Sequence, residues 1–262
     1  MWLSASNAVL RALLAPTCAA CDRPLDAPLA GAVCRLCWRA VELITPPHCT
    51  QCGDQIPTAI GGANGDRCDR CARGDTAFDL AASIGIYDGA LRDMVHALKY
   101  RQRRMIAPGL AAAMRRSGAR VLIGADAVVP VPLHPWRHWQ RGFNQADDLA
   151  RGLGLPVWRV LRRPRSGPPQ ASLPAAARLS NAEGAYAISA GAYLRGRRWR
   201  RLGGATVVLI DDVLTTGATL NACARVLREA GVRRVRVLTA ARAVAGRPPQ
   251  PLLTRRPSAD RR

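Results

Sequence analysis

The chain has 262 residues, which is enough for one substantial α/β domain and a small additional module. It contains no run of 18 apolar residues, and residues 1–16 lack the basic start and small-residue cleavage site of a secretory signal, so we expect a cytoplasmic protein without a membrane span. The net charge of +21 favours partners that carry phosphate groups, although an Arg- and Pro-rich tail over residues 247–262, which we expect to be disordered, supplies part of it.

Apolar side chains spaced through residues 1–16 predict a short amphipathic helix that packs on the body of the protein. A cysteine-rich module follows over residues 17–75. Eight of the nine cysteines form four Cys-x-x-Cys pairs there, namely Cys18/Cys21, Cys34/Cys37, Cys49/Cys52 and Cys68/Cys71. Each pair presents two thiolates to one ion, and two pairs complete a tetrahedral Cys₄ site, so the module predicts two structural zinc ions.

Disulfides are the alternative use of these cysteines, but regular Cys-x-x-Cys pairs without a secretory context favour metal. Pairing in sequence order, first with second and third with fourth, is the simpler zinc topology. An interleaved order is the alternative.

Strands and helices alternate through residues 76–246, which we expect to form one domain. The predicted strands lie at residues 81–87, 126–131, 156–160, 185–189, 206–210 and 235–240. The predicted helices run from the cap Asp88 to Lys99, from 105 to 116, from Arg141 to Gly152 and from 217 to 230. This alternation predicts a mostly parallel sheet with helices on both faces. The polar stretch at residues 162–183 has little periodicity and is typical of a lid or binding loop.

Residues 207–219 carry the most specific signal for function. Four apolar residues predict a buried strand, Asp211 and Asp212 follow where that strand is expected to end, and a turn over residues 215–219 leads into a helix. Such a turn offers N–H groups and a positive dipole end to a phosphate, and the two acids beside it suit hydroxyl groups or a divalent metal. The alternative is that these acids only cap the helix.

This arrangement resembles the signature with which type I phosphoribosyltransferases bind phosphoribosyl pyrophosphate (PRPP). Over nearly its whole length the chain is similar to the ComF family. The segments that carry the resemblance are the four Cys-x-x-Cys pairs, Leu-Lys-Tyr-Arg at residues 98–101, Val-Pro-Val-Pro-Leu-His-Pro at 129–135, Arg-Gly-Phe-Asn-Gln at 141–145, Pro-Gln at 169–170 with Arg178 and Asn181, and residues 210–219. The resemblance implies a type I phosphoribosyltransferase fold behind an N-terminal zinc module.

The resemblance also implies PRPP with Mg²⁺ as the substrate. Asp211 and Asp212 would bind the ribose 2′- and 3′-hydroxyls, directly or through metal-bound water. The segment implied to hold the 5′-phosphate comprises Val213, Leu214, Thr215, Thr216, Gly217, Ala218 and Thr219. The glycine in this segment would let the backbone approach the phosphate closely.

The candidates on the pyrophosphate side are Pro132, Leu133, His134, Lys99, Arg141 and Arg178. Lys99 is the single Lys among 39 basic residues, which indicates either a need for a compact ammonium or chance survival at a helix end. His134 is an acid or a neutral hydrogen-bond donor, or else a structural residue between prolines. Arg141 with Asn144 has the alternative of capping a helix.

Members of the ComF family are associated with natural competence and with incoming single-stranded DNA. Two hypotheses follow from the resemblance. In the first, the protein is an enzyme that transfers phosphoribosyl to an unidentified acceptor, and the acidic pair and the predicted lid favour this. In the second, it is a non-catalytic module that senses PRPP or a nucleotide and engages single-stranded DNA or a helicase-type partner, which the net charge and the zinc module favour. Trp136 and Trp139 would then stack on bases, with partial burial or a dimer contact as alternatives. A homodimer is common among the proteins that the chain resembles.

Overall fold

The structure is a computed structural model that describes residues 2–56, 66–164, 184–189 and 202–244. Arg178, most of the predicted lid and the tail at residues 247–262 lie outside these ranges. Within the described ranges every helix is too short or too polar to cross a membrane.

Strands and helices alternate along most of the described chain. The strands are β1 (Leu80–Ile86), β2 (Ala127–Pro130), β3 (Leu161–Arg162), β4 (Ala187–Ile188), β5 (Thr206–Leu214) and β6 (Arg234–Arg242). The helices are α1 (Trp2–Leu14), α2 (Arg35–Arg39), α3 (Asp69–Ala72), α4 (Gly89–Tyr100), α5 (Ala107–Ser117), α6 (Ala119–Leu122), α7 (Pro135–Arg141), α8 (Gln145–Arg151) and α9 (Ala218–Glu229).

The central sheet has the strand order β1-β6-β5-β2, and all of its neighbouring strands are parallel. β5 lies in the middle and pairs with β6 from Thr206 opposite Arg234 to Leu214 opposite Arg242. The short strands β3 and β4 form a separate antiparallel pair. The predicted parallel sheet is therefore confirmed.

Apolar side chains cover both faces of this sheet. Val208 and Ile210 of β5 belong to a core cluster that includes residues of α4, α5 and α8. Val207 and Leu209 belong to a second cluster that includes residues of α9. This period of two is that of a strand buried on both faces, and it fixes the directions in which the following residues of β5 point.

β5 is longer than the sequence predicts. It continues through Asp211 to Leu214, because Asp211 and Val213 remain paired with Thr239 and Ala241 of β6. This pairing gives the backbone N–H and C=O groups of the segment their hydrogen-bond partners. The strand therefore continues past the two polar side chains.

Two further elements differ from prediction. Arg141 ends α7 instead of opening a helix, because Gly142 follows it with a left-handed φ of 73°, and α8 begins at Gln145. The strand predicted at residues 156–160 is reduced to one bridge of Val157 with β2, and the neighbouring strand is β3.

Candidate functional site

The eight paired cysteines form two separate clusters. One contains Cys18, Cys21, Cys34 and Cys37, the other contains Cys49, Cys52, Cys68 and Cys71, and the sulfur atoms within each cluster lie within 4.8 Å of one another. None of the eight is in a disulfide. Four thiolates so placed fit the tetrahedral coordination of a structural zinc ion. Pairing in sequence order is confirmed, and the interleaved order is wrong.

The adjacent carboxylates of β5 lie on opposite faces of the sheet, as the alternation along the strand requires. Asp212 contacts residues of α4 and α8. Asp211 is on the face of α9, where its charge helps to raise the pKa of buried Cys223, although burial is the larger cause. The two acids therefore do not form a side-by-side pair.

Asp212 is buried, and both of its carboxylate oxygens have partners. Nζ of Lys99, near the end of α4, lies 2.7 Å from Oδ1. Nε2 of Gln145, the first residue of α8, donates to Oδ2 at 2.6 Å. Burial opposes the charge of Lys99, but the Asp212 carboxylate outweighs it, so the pKa of Lys99 lies above its ordinary value. Asp212 and Lys99 thus form a buried ion pair.

Gln145 connects this ion pair to Arg141. Its Oε1 accepts a hydrogen bond from Nη1 of Arg141 at 3.2 Å. The Arg141 guanidinium also lies over the ring of Tyr100, with Cζ 4.9 Å from the ring centroid, which is within the range of a cation–π contact. Sequence reasoning gave no role to Gln145 or Tyr100, although both stand in the motifs that carry the family resemblance.

Asp211 is half-buried, and its Oδ1 accepts the backbone N–H of Asp212 at 2.8 Å. Burial raises the pKa of Asp211 to about 7, and the charge of Asp212 adds to the shift, while Lys99 and Arg141 oppose it. This carboxyl therefore gains or loses its proton near neutral pH. An incoming cation or hydroxyl donor would favour the ionised form.

The turn between β5 and α9 is open to solvent. Thr215 and Thr216 are exposed, whereas Gly217 is buried and has a φ of 80°, in the left-handed region that favours glycine. The Thr216 hydroxyl accepts the N–H of Ala218 at 3.4 Å. α9 then runs for 12 residues, so its dipole adds a positive potential at this turn. The geometry suits an anion, as the sequence predicts.

A residue of the zinc module also reaches this turn. Arg70, between Cys68 and Cys71 in α3, donates a hydrogen bond from Nη1 to the carbonyl oxygen of Thr216. Sequence reasoning missed this contact because 146 residues separate the two partners and no motif links them.

The residues predicted to bind the pyrophosphate lie in different places in the structure. Pro132 and Leu133 line a cleft of about 680 Å³ beside β2. His134 caps α7, where its Nδ1 accepts the backbone N–H two residues ahead at 3.2 Å. Asn144 caps α8 through its side-chain oxygen. Of the candidates within the described ranges, Lys99 contacts Asp212 directly and Arg141 reaches it through Gln145.

The same cleft is rich in arginine. Its basic lining residues are Arg104, Arg151, Arg159, Arg162 and Arg163. Several of them are paired with acids of α8, such as Arg104 with Asp148 at 2.7 Å. Trp139 borders the cleft, and its ring centroid lies 5.4 Å from that of Trp136. Trp139 is 76% exposed and Trp136 is 60% exposed, so most of each ring surface is open to solvent.

Comparisons with known proteins agree with this architecture. Residues 9–73 match the family described as double zinc ribbon domain, and residues 140–251 match the phosphoribosyl transferase domain. Competence protein F of Haemophilus influenzae is 29% identical over 221 residues, which are 80% of this chain and 90% of that protein. DNA utilization protein YhgH of Salmonella typhimurium is 33% identical over 233 residues, which are 84% of this chain and 94% of that protein. The chain belongs to the ComF family. A further ComF relative, DNA utilization protein YhgH of Escherichia coli, is 30% identical with the same coverage.

Three ComF motifs named from the sequence meet around one carboxylate. Lys99 comes from the motif at residues 98–101, Arg141 and Gln145 from the motif at 141–145, and Asp212 from β5. The parallel α/β sheet, the phosphoribosyl transferase match and the two Cys₄ clusters confirm the predicted fold class.

Proposed function

We propose that this ComF protein binds PRPP at the turn after β5 and transfers its phosphoribosyl group to an acceptor, in a pathway linked to DNA uptake. The observation that carries the proposal is the exposed turn at the N-terminus of α9, directly beside half-buried Asp211. The names of the relatives, competence protein and DNA utilization protein, support the link to DNA.

The 5′-phosphate is the part of PRPP that this turn suits best. Backbone N–H groups and hydroxyls of residues 215–219 would hold it, helped by the dipole of α9. Val213 and Leu214 would contribute as the last residues of β5, because they fix where the turn begins.

The contacts of the two acids support different roles for them. Asp211, with no ion pair among the described residues, would bind the ribose hydroxyls. Asp212 already uses both oxygens on Lys99 and Gln145, so its role would be to hold these side chains in place. This division refines the expectation that both acids contact the ribose.

The reaction would break the bond between C1′ and the pyrophosphate oxygen, which leaves with the electron pair. The acceptor then donates a lone pair to C1′ and releases its proton to solvent. The charged Lys99 and Arg141 would stabilise the negative charge that builds on the leaving group. Arg178, outside the described residues, is a further predicted source of positive charge. A half-buried carboxylate and phosphate oxygens are ligands that suit Mg²⁺, which would supply charge neutralisation when bound.

The second candidate is a module that senses PRPP or a nucleotide and binds single-stranded DNA without catalysis. The exposed pair Trp136 and Trp139 beside the arginine-rich cleft favours it, because bases stack on exposed aromatic rings and phosphates follow arginines.

Pyrophosphate release separates the two candidates. Purified protein is given PRPP, Mg²⁺ and pools of nucleobases, nucleosides and single-stranded oligonucleotides. The enzyme hypothesis predicts release that Asp211→Asn abolishes and that Asp75→Asn, an exposed carboxylate of the zinc module, leaves unchanged. Binding of PRPP without release from any pool would support the sensor instead. If neither PRPP nor a nucleotide shifts the melting temperature, the assigned site is wrong.

A further inference from the structure

The second zinc ribbon, defined by Cys49, Cys52, Cys68 and Cys71, packs directly against the turn after β5. Arg70 makes the contact. Its Nη1 donates to the carbonyl oxygen of Thr216, and a Cβ atom added to Gly217 would lie 3.8 Å from the same nitrogen. The guanidinium is therefore in contact with the turn that we assign to the 5′-phosphate.

The other end of the same guanidinium faces the metal site. Nη2 of Arg70 lies 3.8 Å from Sγ of Cys52, within the range of a hydrogen bond to sulfur. One side chain thus spans the distance from a zinc ligand to the turn. Its planar fork suits two partners at once, which a lysine would not.

Peptide geometry shows what this contact does to the turn. A trans peptide is planar, so its C=O and N–H groups point in opposite directions. When Arg70 holds the Thr216 carbonyl toward the zinc ribbon, it directs the N–H of Gly217 to the other side of the turn. Backbone N–H groups are what an anion site at a helix N-terminus presents to its ligand.

The base of the turn is tied to the same ribbon. Arg242 of β6, which pairs with Leu214, is only 1% exposed. Its Nη1 donates to the carbonyl oxygen of Cys52 at 2.9 Å, and its Nη2 lies 2.9 Å from Oδ2 of Asp54. The ribbon therefore holds the chain just before the turn as well as within it.

The helix after the turn is fastened to the segment that follows the ribbon. Oδ1 of Asn221 in α9 accepts the N–H of Ala77 at 2.9 Å, and its Nδ2 donates to the carbonyl of Asp75 at 3.1 Å. Arg228, farther along α9, bonds to Ala77 and to Asp79. The turn is thus held from three sides by one structural unit.

Among the described residues, the first ribbon makes no such contact with the turn. The position that corresponds to Arg70, third in the Cys-x-x-Cys of the short helix α2, is Leu36, and its side chain is 58% exposed. The two ribbons share their cysteine spacing but differ at this residue, so zinc coordination alone does not explain an arginine there.

We propose that Arg70 is a positioning residue through which the second zinc ribbon sets the conformation of the phosphate turn. The effect on PRPP rests on the proposed function, whereas the effect on the turn itself does not. The second ribbon is then part of the donor site.

The test compares Arg70→Gln and Arg70→Lys with Arg73→Gln, a matched control in which an exposed arginine of the same ribbon loses its ion pair with Asp75. Zinc content is measured first, and all variants should hold two ions per chain. Hydrogen exchange is then followed in the peptide that covers residues 214–221. Titration calorimetry with PRPP and Mg²⁺ gives the affinity.

We expect faster exchange at residues 214–221 in Arg70→Gln, with the exchange of residues 127–141 unchanged. PRPP affinity should fall about tenfold, the effect of losing one well-placed hydrogen bond. Arg70→Lys should not restore it, because one ammonium does not span both partners. Arg73→Gln should match wild type in both measurements.

Unchanged exchange at residues 214–221 in a zinc-loaded Arg70→Gln variant would overturn the proposal. So would full rescue by lysine, because positive charge alone would then account for the effect. If wild type shows no heat with PRPP, the proposed function fails, while the exchange measurement still decides the role of Arg70.

Discussion

Lys99 and Asp212 form a buried ion pair, with Nζ of Lys99 2.7 Å from Oδ1 of Asp212. Gln145 donates a hydrogen bond to the other carboxylate oxygen at 2.6 Å. Gln145 in turn accepts a hydrogen bond from Arg141. Three separate stretches of sequence are therefore joined at the end of the central strand. The single Lys of the chain is thus one member of a buried ion pair.

Removal of the ammonium should destabilise the fold. Lys99→Met leaves the Asp212 carboxylate buried without a cation, which costs about 3–5 kcal/mol of unfolding free energy in comparable buried pairs. Asp212→Asn combined with Lys99→Met should lose less than the sum of the two single variants. Chemical denaturation of the four proteins measures this coupling, and additive losses would show that the pair does not interact.

The sequence was sufficient to predict the sheet but not the direction of the two acids. The continuous apolar run at residues 207–210 of β5 identifies a strand buried on both faces. Asp211 and Asp212 are predicted to follow the end of this strand, because polar residues usually follow a buried strand. Pairing with β6 carries the strand to Leu214, and this depends on residues far away in sequence.

The pH dependence of stability should reveal the raised pKa of Asp211. Burial raises its pKa in the folded protein from 3.8 to about 7, so between about pH 4 and pH 7 the folded state keeps a proton that the unfolded chain releases. The free energy of unfolding therefore falls as pH rises through this range. Without PRPP or Mg²⁺, wild type should lose melting temperature relative to Asp211→Asn between about pH 5 and pH 7. A difference that stays constant with pH would contradict the shift.

Gly217→Ala should weaken both the fold and the phosphate site. The left-handed φ of 80° costs a non-glycine residue about 1–2 kcal/mol. Gly204→Ala is the matched control, with a φ of 75° and open space around it, because it precedes β5 whereas the turn follows β5. Both variants should lose similar stability, and only Gly217→Ala should lose PRPP affinity in calorimetry. Equal PRPP affinity in the two would place the phosphate elsewhere.

The two zinc clusters should load independently, because no cysteine is shared between them. Cys34→Ser is expected to reduce the zinc content from two ions per chain to one, and Cys68→Ser likewise. Elemental analysis of the purified proteins measures this. Loss of both ions from either single variant would mean that the ribbons fold only together.

The order in which the Cys-x-x-Cys pairs combine and the contact of Arg70 could not be predicted from the sequence, for different physical reasons. Four Cys-x-x-Cys pairs of equal spacing are compatible with either pairing order, since any two pairs supply four thiolates. Arg70 meets Thr216 only because the second ribbon packs against the carboxyl end of β6. Tertiary packing of this kind leaves no periodic pattern along the chain.

Titration of PRPP with Mg²⁺ into the 262-residue protein, followed by calorimetry, tests the central claim most directly. We expect one PRPP per chain, and affinity that drops strongly in Asp211→Asn and Gly217→Ala but persists in Asp75→Asn and Gly204→Ala. Absence of binding to wild type at millimolar PRPP, or binding that Asp211→Asn and Gly217→Ala leave intact, would contradict the assignment of the turn after β5 as the phosphoribosyl site.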